Sequence, residues 1–369
     1  MKLMEEFRLS VNPYERLAAT LDKIPNSFTS TEDGTHLRVL EWIFTPEEAD
    51  LASQMKLRGE TIEELITRLE LSAKGLEELL ENMAEKGQIR AWNSSTGRRY
   101  ALIPFVVGIY DEQLNRMDNE FAQLVDDFLD ESKVHGLWGT EPALFRVIPI
   151  NRTISTELEI YPYDVAEQMI ESAKSWGVRE CVCKKHQGLL GNPCKYGVSK
   201  CIQLHPRREH MFDDNDITES ITKEEALAIL RQAEEAGLIH CSLNTQKDHL
   251  YICNCCECCC LPMRGLTKWE QPHSYVRSNY QASINSELCN GCENCLERCQ
   301  LKALIMQEDV CVVNTNRCIG CGVCAISCSE GAISLVQREP NEKNIPPESI
   351  MDWGMQKAIS RGIDPSDLL

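Results

Sequence analysis

The first 180 residues of this 369-residue chain contain no cysteine; all twenty cysteines follow them. No stretch reaches the roughly 18 uninterrupted apolar residues that a membrane-spanning helix needs, so no membrane insertion is expected. Residues Met1 to Ser10 carry Glu5, Glu6 and Arg8 and lack the basic start, apolar middle and small-residue cleavage site of a secretory signal. A twin-arginine signal is missing as well, so a cytoplasmic location is expected. Positive charge is in short supply: 38 Lys and Arg stand against 57 Asp and Glu, a net charge of −19. Nucleic acid is therefore not expected as a general partner, because a phosphate backbone is bound by summed lysine and arginine. An acidic surface suits docking on a basic patch of another protein. No glycine-rich nucleotide loop is present, so neither a flavin nor a nicotinamide site is expected.

With 43% apolar residues the chain can build two or three cores, and its patterns read as an α+β multidomain protein. Residues 1–108 read as a winged-helix-like domain. There Ile62, Leu65, Ile66 and Leu69 share one helical face. Ser72 is positioned to cap a following helix that Gly87 stops. Residues 88–92 and 99–103 flank a polar turn and make a hairpin wing. Residues 109–140 form a helical connector, with an amphipathic helix from about Glu112 to Asp130. Residues 141–270 form a central α/β cysteine-rich metal-binding domain. It is expected to hold a strand near Phe145, a helix from Tyr163 to Ser175 and a helix from Thr222 to Ala236. Thr222 with Glu225 three residues on makes a capping box for the last of these. Residues 275–338 are a tandem repeat, and residues 339–369 are a tail with a short helix around Ile350 to Ile359.

In the repeat, Cys289, Cys292, Cys295 and Cys299 have C-x2-C-x2-C-x3-C spacing, and Cys318, Cys321, Cys324 and Cys328 copy it 29 residues later. The match extends to Gly291 with Gly320 and to Ala303 with Ala332. Disulfides belong mainly to oxidising compartments, whereas thiolates are the soft ligands that iron–sulfur clusters and zinc select. This spacing is that of bacterial two-cluster ferredoxins, in which the fourth cysteine binds the other cluster. The expectation is a (βαβ)2 ferredoxin-like domain with two [4Fe–4S] clusters. Cys289, Cys292, Cys295 and Cys328 are expected at the first, and Cys318, Cys321, Cys324 and Cys299 at the second. The ferredoxin pattern has proline after the fourth cysteine, where this chain has Gln300 and Ser329.

Ten more cysteines crowd the central region: Cys181, Cys183, Cys194 and Cys201, then Cys253, Cys255, Cys256, Cys258, Cys259 and Cys260. One or two additional [4Fe–4S] clusters are expected there, with zinc as the alternative. If the run is extended, alternation turns Cys253, Cys255 and Cys259 to one side and Cys256, Cys258 and Cys260 to the other. Cys241 and Cys311 lie in apolar strand-like runs and read as small core residues. His186, His205 and His210, beside Lys184, Lys185, Arg207 and Arg208, read as solvated loop residues.

These residues together resemble uncharacterised 4Fe–4S dicluster proteins of anaerobic bacteria and archaea. The resemblance is carried by the winged-helix start, the run from Tyr251 to Cys260, and the motifs around Cys295 and Cys318. It implies electron transfer in anaerobic metabolism. The expected function is an iron–sulfur electron-transfer protein or subunit that relays electrons to a partner redox enzyme, within a larger complex. No catalytic side chain is singled out, which suits an electron-transfer component better than a stand-alone enzyme. Two alternatives stand beside it: an oxidoreductase acting at the central cysteines, and an iron–sulfur-sensing winged-helix regulator.

Overall fold

The computed structural model describes residues 12–155 and 160–364. The N-terminal stretch Met1 to Ser10, read above for a signal, lies outside the described residues. The protein is a mixture of helix and sheet, and among the described residues no helix is long and apolar enough to cross a membrane. It divides into two compact units, one running to Glu141 and resuming at Gly354, the other Pro142–Trp353.

The first unit is mainly helical. Helices α1 (Pro13–Lys23), α2 (Thr35–Ile43), α3 (Pro46–Ala52), α4 (Ile62–Leu69) and α5 (Leu76–Glu85) precede a hairpin of β1 (Ile89–Ser94) and β2 (Gly97–Leu102). Thr45 and Thr61 each cap a helix through a reciprocal box with Glu48 and Glu64. Ser72 does not cap α5; Gly75 does, at φ 79°, a left-handed conformation that glycine adopts without strain. The helix expected from Glu112 is interrupted. Asp118 starts α6 (Asn119–Ser132) by accepting from the Phe121 amide. Lys357 of the chain's last helix is fully buried and donates to the carbonyls of Leu137 and Thr140.

The second unit is built on a six-stranded antiparallel sheet in the order β3-β7-β8-β5-β4-β6. Its strands are β3 (Phe145–Ile148), β4 (Ser175–Glu180), β5 (Lys200–His205), β6 (Glu219–Ile221), β7 (Ile239–Leu243) and β8 (Tyr251–Cys255). The helix expected from Tyr163 to Ser175 is replaced by a single tight turn at Pro162–Asp164, α7 (Ala166–Ser172) and the start of β4. Thr222 and Glu225 cap α9 (Lys223–Ala236), which follows α8 (Val182–Leu189) in the chain. Strand alternation then sorts the sheet's side chains. Ile148, Val178, Ile202, Leu204 and Ile252 pack under α7 and α9 with Met169, Ile170, Ala226 and Leu230. Cys201, Cys241, Cys253 and Cys255 alternate with these and therefore project from the opposite face.

After α10 (Leu261–Thr267) the chain runs strand–helix–strand twice: β9 (Tyr280–Ile284), α11 (Asn294–Arg298) and β10 (Leu304–Gln307), then β11 (Val310–Val313), α12 (Val323–Ile326) and β12 (Ile333–Gln337). β9 pairs with β12 and β10 with β11, both antiparallel. The repeat is tied to the sheet by a parallel bridge of Arg146 to Val276, and Arg146 is itself held within the central region by a fully buried ion pair, Nε to Asp164 Oδ1 at 3.1 Å. The last helix, α13 (Ile350–Ser360), contributes the buried Trp353, whose Nε1 donates to the Ala143 carbonyl at 3.0 Å.

Candidate metal centres

The repeat encloses two hollows. One is lined by Cys289, Cys292, Cys295 and Cys328, the other by Cys318, Cys321, Cys324 and Cys299. Each thus gathers three cysteines from one motif and the last from the other. The loops turn at Gly291 and Gly320, with φ of 69° and 72°. A Cβ on Gly320 would stand 2.0 Å from the Tyr280 carbonyl oxygen and 2.2 Å from Ser278 Oγ, so no side chain fits there. Backbone amides aim at sulfur: Ala303 N donates to Cys299 Sγ and Ala332 N to Cys328 Sγ, both at 3.2 Å, and Ala282 N to Cys318 Sγ at 3.5 Å. The first two are equivalent positions of the repeat. Arg338, buried, holds the second loop by donating to the Cys318 carbonyl at 2.6 Å and the Ser278 carbonyl at 3.1 Å. Burial pushes the Cys321 thiol up to about 12 and Cys324 well above its ordinary value. Uncompensated thiolates would be costly in these positions. Cys311 is buried as expected, but its sulfur lies 3.6 Å from Cys295 Sγ at the edge of the first hollow.

The ten central cysteines fall into two groups. Cys181, Cys183, Cys201, Cys253, Cys255 and Cys260 form a closed ring of thiols in the order 181-183-260-255-253-201, each beside the next. Hydrogen bonds from Cys183 and Cys201 lower the Cys181 pKa, while its partners Cys183 and Cys201 are raised. The Tyr275 hydroxyl reaches this ring, 3.2 Å from Cys255 Sγ and 3.4 Å from Cys260 Sγ. Cys241 joins it beside Cys255, a contact that reading its strand as plain core missed. It stands opposite Cys253 in the β7–β8 register, which no local sequence pattern announces.

Cys194, Cys256, Cys258 and Cys259 make the second group, with all four sulfurs within 4.8 Å of one another. An unbroken strand alternation would turn Cys259 and Cys260 to the reverse sides. β8 ends at Cys255 and the chain turns over residues 257–259, so the extended alternation stops before reaching them. All twenty cysteines are free thiols. Between the two groups lies Lys184, buried, with Nζ donating to the Val198 carbonyl. Burial opposes its charge, yet the surrounding thiolates of Cys256, Cys181, Cys194 and Cys201 hold its pKa above the ordinary lysine value. Neither Lys184 nor His186 is a solvated loop residue: both are buried on α8. His205 accepts the Arg208 amide at 2.8 Å, and His210 pairs with Asp213 at the surface.

The central region and the second hollow adjoin. Ile239 of β7 lines that hollow, Ile150 N donates to the Cys321 carbonyl at 3.0 Å, and Ser278 N to Ile319 O at 3.1 Å. Gln300, in the place of the usual proline, is a direct link. Its Oε1 accepts the Glu257 amide at 2.9 Å, and its Nε2 donates to the Gly237 carbonyl at 2.6 Å.

No family model matches the chain, and no solved structure matches it. Three curated proteins are similar over part of it. An uncharacterized ferredoxin of Methanocaldococcus jannaschii is 42% identical over 52 residues, 14% of this chain and 34% of that protein. Hydrogenase-4 component A of Escherichia coli is 32% identical over 91 residues, 24% of this chain and 44% of that protein. A protein of Escherichia coli carrying an oxidoreductase name, UacF, is 31% identical over 91 residues, 23% of this chain and 14% of that protein. The chain thus spans less than half the length of each curated relative.

Proposed function

We propose that this chain is an iron–sulfur electron-transfer protein. Two [4Fe–4S] clusters are held by Cys289, Cys292, Cys295 and Cys328 and by Cys318, Cys321, Cys324 and Cys299, and a further centre by the ring of central thiols. The observation that carries this reading is the lining of the two hollows, each with four motif thiols exchanged between motifs as the ferredoxin pattern requires, and Cys311 beside the first. The donor set fits the group: eight soft thiols, glycine turns where a side chain would collide, and amides directed at sulfur. When bound, such clusters take up and release single electrons; the protein's part is spacing, burial and charge.

The chain's own residues perform that part. Ala303 and Ala332 amides stabilise negative charge on Cys299 and Cys328, which favours the reduced state. Arg338 holds the second loop in place from behind. Gln300, the residue after Cys299, accepts from the backbone amide between Cys256 and Cys258, a short covalent and hydrogen-bonded route between the second cluster and the central region. The names of the partial relatives, a ferredoxin and a hydrogenase component, support electron transfer to a partner redox enzyme within a complex.

A second reading, reduction of a small molecule or disulfide at the central ring, is favoured by one observation: six thiols are two more than a cubane uses. The regulator reading is weakened by the hairpin's arginines. Arg98 pairs with Glu81 at 2.9 Å and Arg99 with Glu64 at 3.3 Å, so the charges a phosphate would need are already answered. The test is a potentiometric titration of the full chain purified without oxygen. Reversible uptake of two electrons by the repeat and their delivery to an added oxidised dye is expected. Failure to take up electrons would overturn the reading, and multiple turnovers on a disulfide or other small acceptor that the clusters alone do not reduce would favour the second.

A further inference from the structure

We propose that Cys194, Cys256, Cys258 and Cys259 are a mononuclear, closed, four-thiolate zinc site, separate from the iron–sulfur centres. The distances carry the argument. Cys194 Sγ lies 3.7 Å from Cys256 Sγ, and Cys258 Sγ lies 3.4 Å from Cys256 Sγ and 3.5 Å from Cys259 Sγ. Four sulfurs about 2.3 Å from one ion at tetrahedral angles stand about 3.8 Å apart. A disulfide would need about 2.05 Å. A cubane spreads its thiolates over four different irons and holds them farther apart than a single ion does. Among the described residues no other group of histidine, cysteine or carboxylate donors is brought together so tightly.

Charge agrees with the distances. Four thiolates on a divalent ion leave a net charge of −2, and two lysines flank the quartet. Lys184 lies beside Cys256 and Cys194, and Lys195 beside Cys258 and Cys256. Glu257 between the ligands is turned outward, to Lys195 Nζ at 2.6 Å and Tyr196 Oη at 2.7 Å, and offers no oxygen to the ion. Of the two metals that a tetrahedral four-sulfur site selects, divalent zinc binds more tightly than ferrous iron.

The consequence is structural. The quartet clamps residues 256–259, whose flanking residues Cys255 and Cys260 both belong to the six-thiol ring. The ion therefore fixes the distance between two donors of the neighbouring centre, and through the Glu257 amide it fixes the end of Gln300. It carries no electrons itself, because zinc has no accessible redox change.

The zinc assignment rests on the quartet, and on the reading above only for the iron of the repeat. The experiment is zinc, iron and sulfide analysis of the full chain purified without oxygen, with zinc-edge X-ray absorption on the same sample. About one zinc per chain, surrounded by four sulfurs at about 2.3 Å, is expected. Cys194→Ser should lose the zinc and keep the iron of the repeat; Cys321→Ser should keep the zinc and lose iron from the second cluster. The absorption spectrum needs no variant, so a misfolded Cys194→Ser protein leaves the test intact. Zinc bound by nitrogen and oxygen, a single iron in its place, or extra iron and sulfide with no zinc would each overturn the assignment. A chain with zinc but without the iron of the repeat would sink the electron-transfer reading instead.

Discussion

The repeat and the central region gather similar numbers of thiols by opposite means. In the repeat, each motif supplies three thiols to one hollow from seven consecutive residues, and only the fourth crosses over. In the centre, the ring draws on α8, β5, β8 and the turn after β8, elements up to 79 residues apart in sequence. The core of the repeat interleaves its sulfurs with Tyr280, Leu304, Ile333 and Leu335. The centre has a sheet whose other face is covered by α7 and α9. A local motif whose thiols sit within its own core is expected to depend on its metal to fold. A topological one, whose sulfurs project from the face away from its apolar core, is expected to stand without its metal.

The largest effect should follow from removing metal. Oxidative loss of iron followed by a chelator should expose the amides of residues 280–337 to rapid exchange, at a cost of about 10 kcal/mol or more. The strands under α7 and α9 should keep their protection, as read by hydrogen exchange with mass spectrometry. Equal loss of protection in both regions would break the comparison.

Next comes the buried ion pair of the central region, Arg146 with Asp164, whose arginine also bridges to Val276 at the start of the repeat. Asp164→Ala leaves the Arg146 guanidinium uncompensated in a fully buried position, and should cost about 3–5 kcal/mol in chemical denaturation. Asp164→Asn, which keeps a hydrogen-bond acceptor, should cost less.

Acid should then strain the centre through a histidine, a residue type that the repeat lacks. Burial, and after it the nearby charge of Arg146, lower the His249 pKa to about 4 from 6.5. The unfolded chain binds that proton at the higher pH. Stability from this group is therefore whole above pH 6.5 and declines as the pH falls to 4, by at most about 3 kcal/mol. Denaturation midpoints of the wild type and His249→Gln should converge across that window if the account holds.

The smallest effect belongs to Gln300→Pro, which restores the common ferredoxin residue. It removes the bonds to Glu257 and Gly237, worth about 1 kcal/mol each, and leaves every cysteine in place. Iron content should be unchanged, while electron exchange between the second cluster and the central region slows in stopped-flow reduction.

The same contrast explains what could be read from the sequence. The repeat's cysteine spacing, the capping box at Thr222 and the amphipathic face of α4 are local patterns, and they were legible; the box at Thr61 was equally local and went unread. β4 and β5 went unread, and the helix expected from Tyr163 ran into the first of them, because Trp176, Gly177 and the ligand-like Cys201 interrupt any simple alternation. The grouping of the central thiols was out of reach for a physical reason. It depends on which strands pair and on β8 stopping at Cys255, neither of which any single segment encodes. Burial of Lys184 was likewise invisible, since only the thiolates folded around it make that position tolerable.

The central claim is that two four-iron clusters occupy the paired hollows of the repeat. The most direct test is the electron paramagnetic resonance spectrum of the fully reduced full chain, taken together with its iron and sulfide content. The account predicts at least about eight irons, four for each cluster, and two reduced clusters whose spins interact across the repeat. Fewer than about eight irons, or a single isolated spin that the loss of Cys328 leaves unchanged, would contradict it.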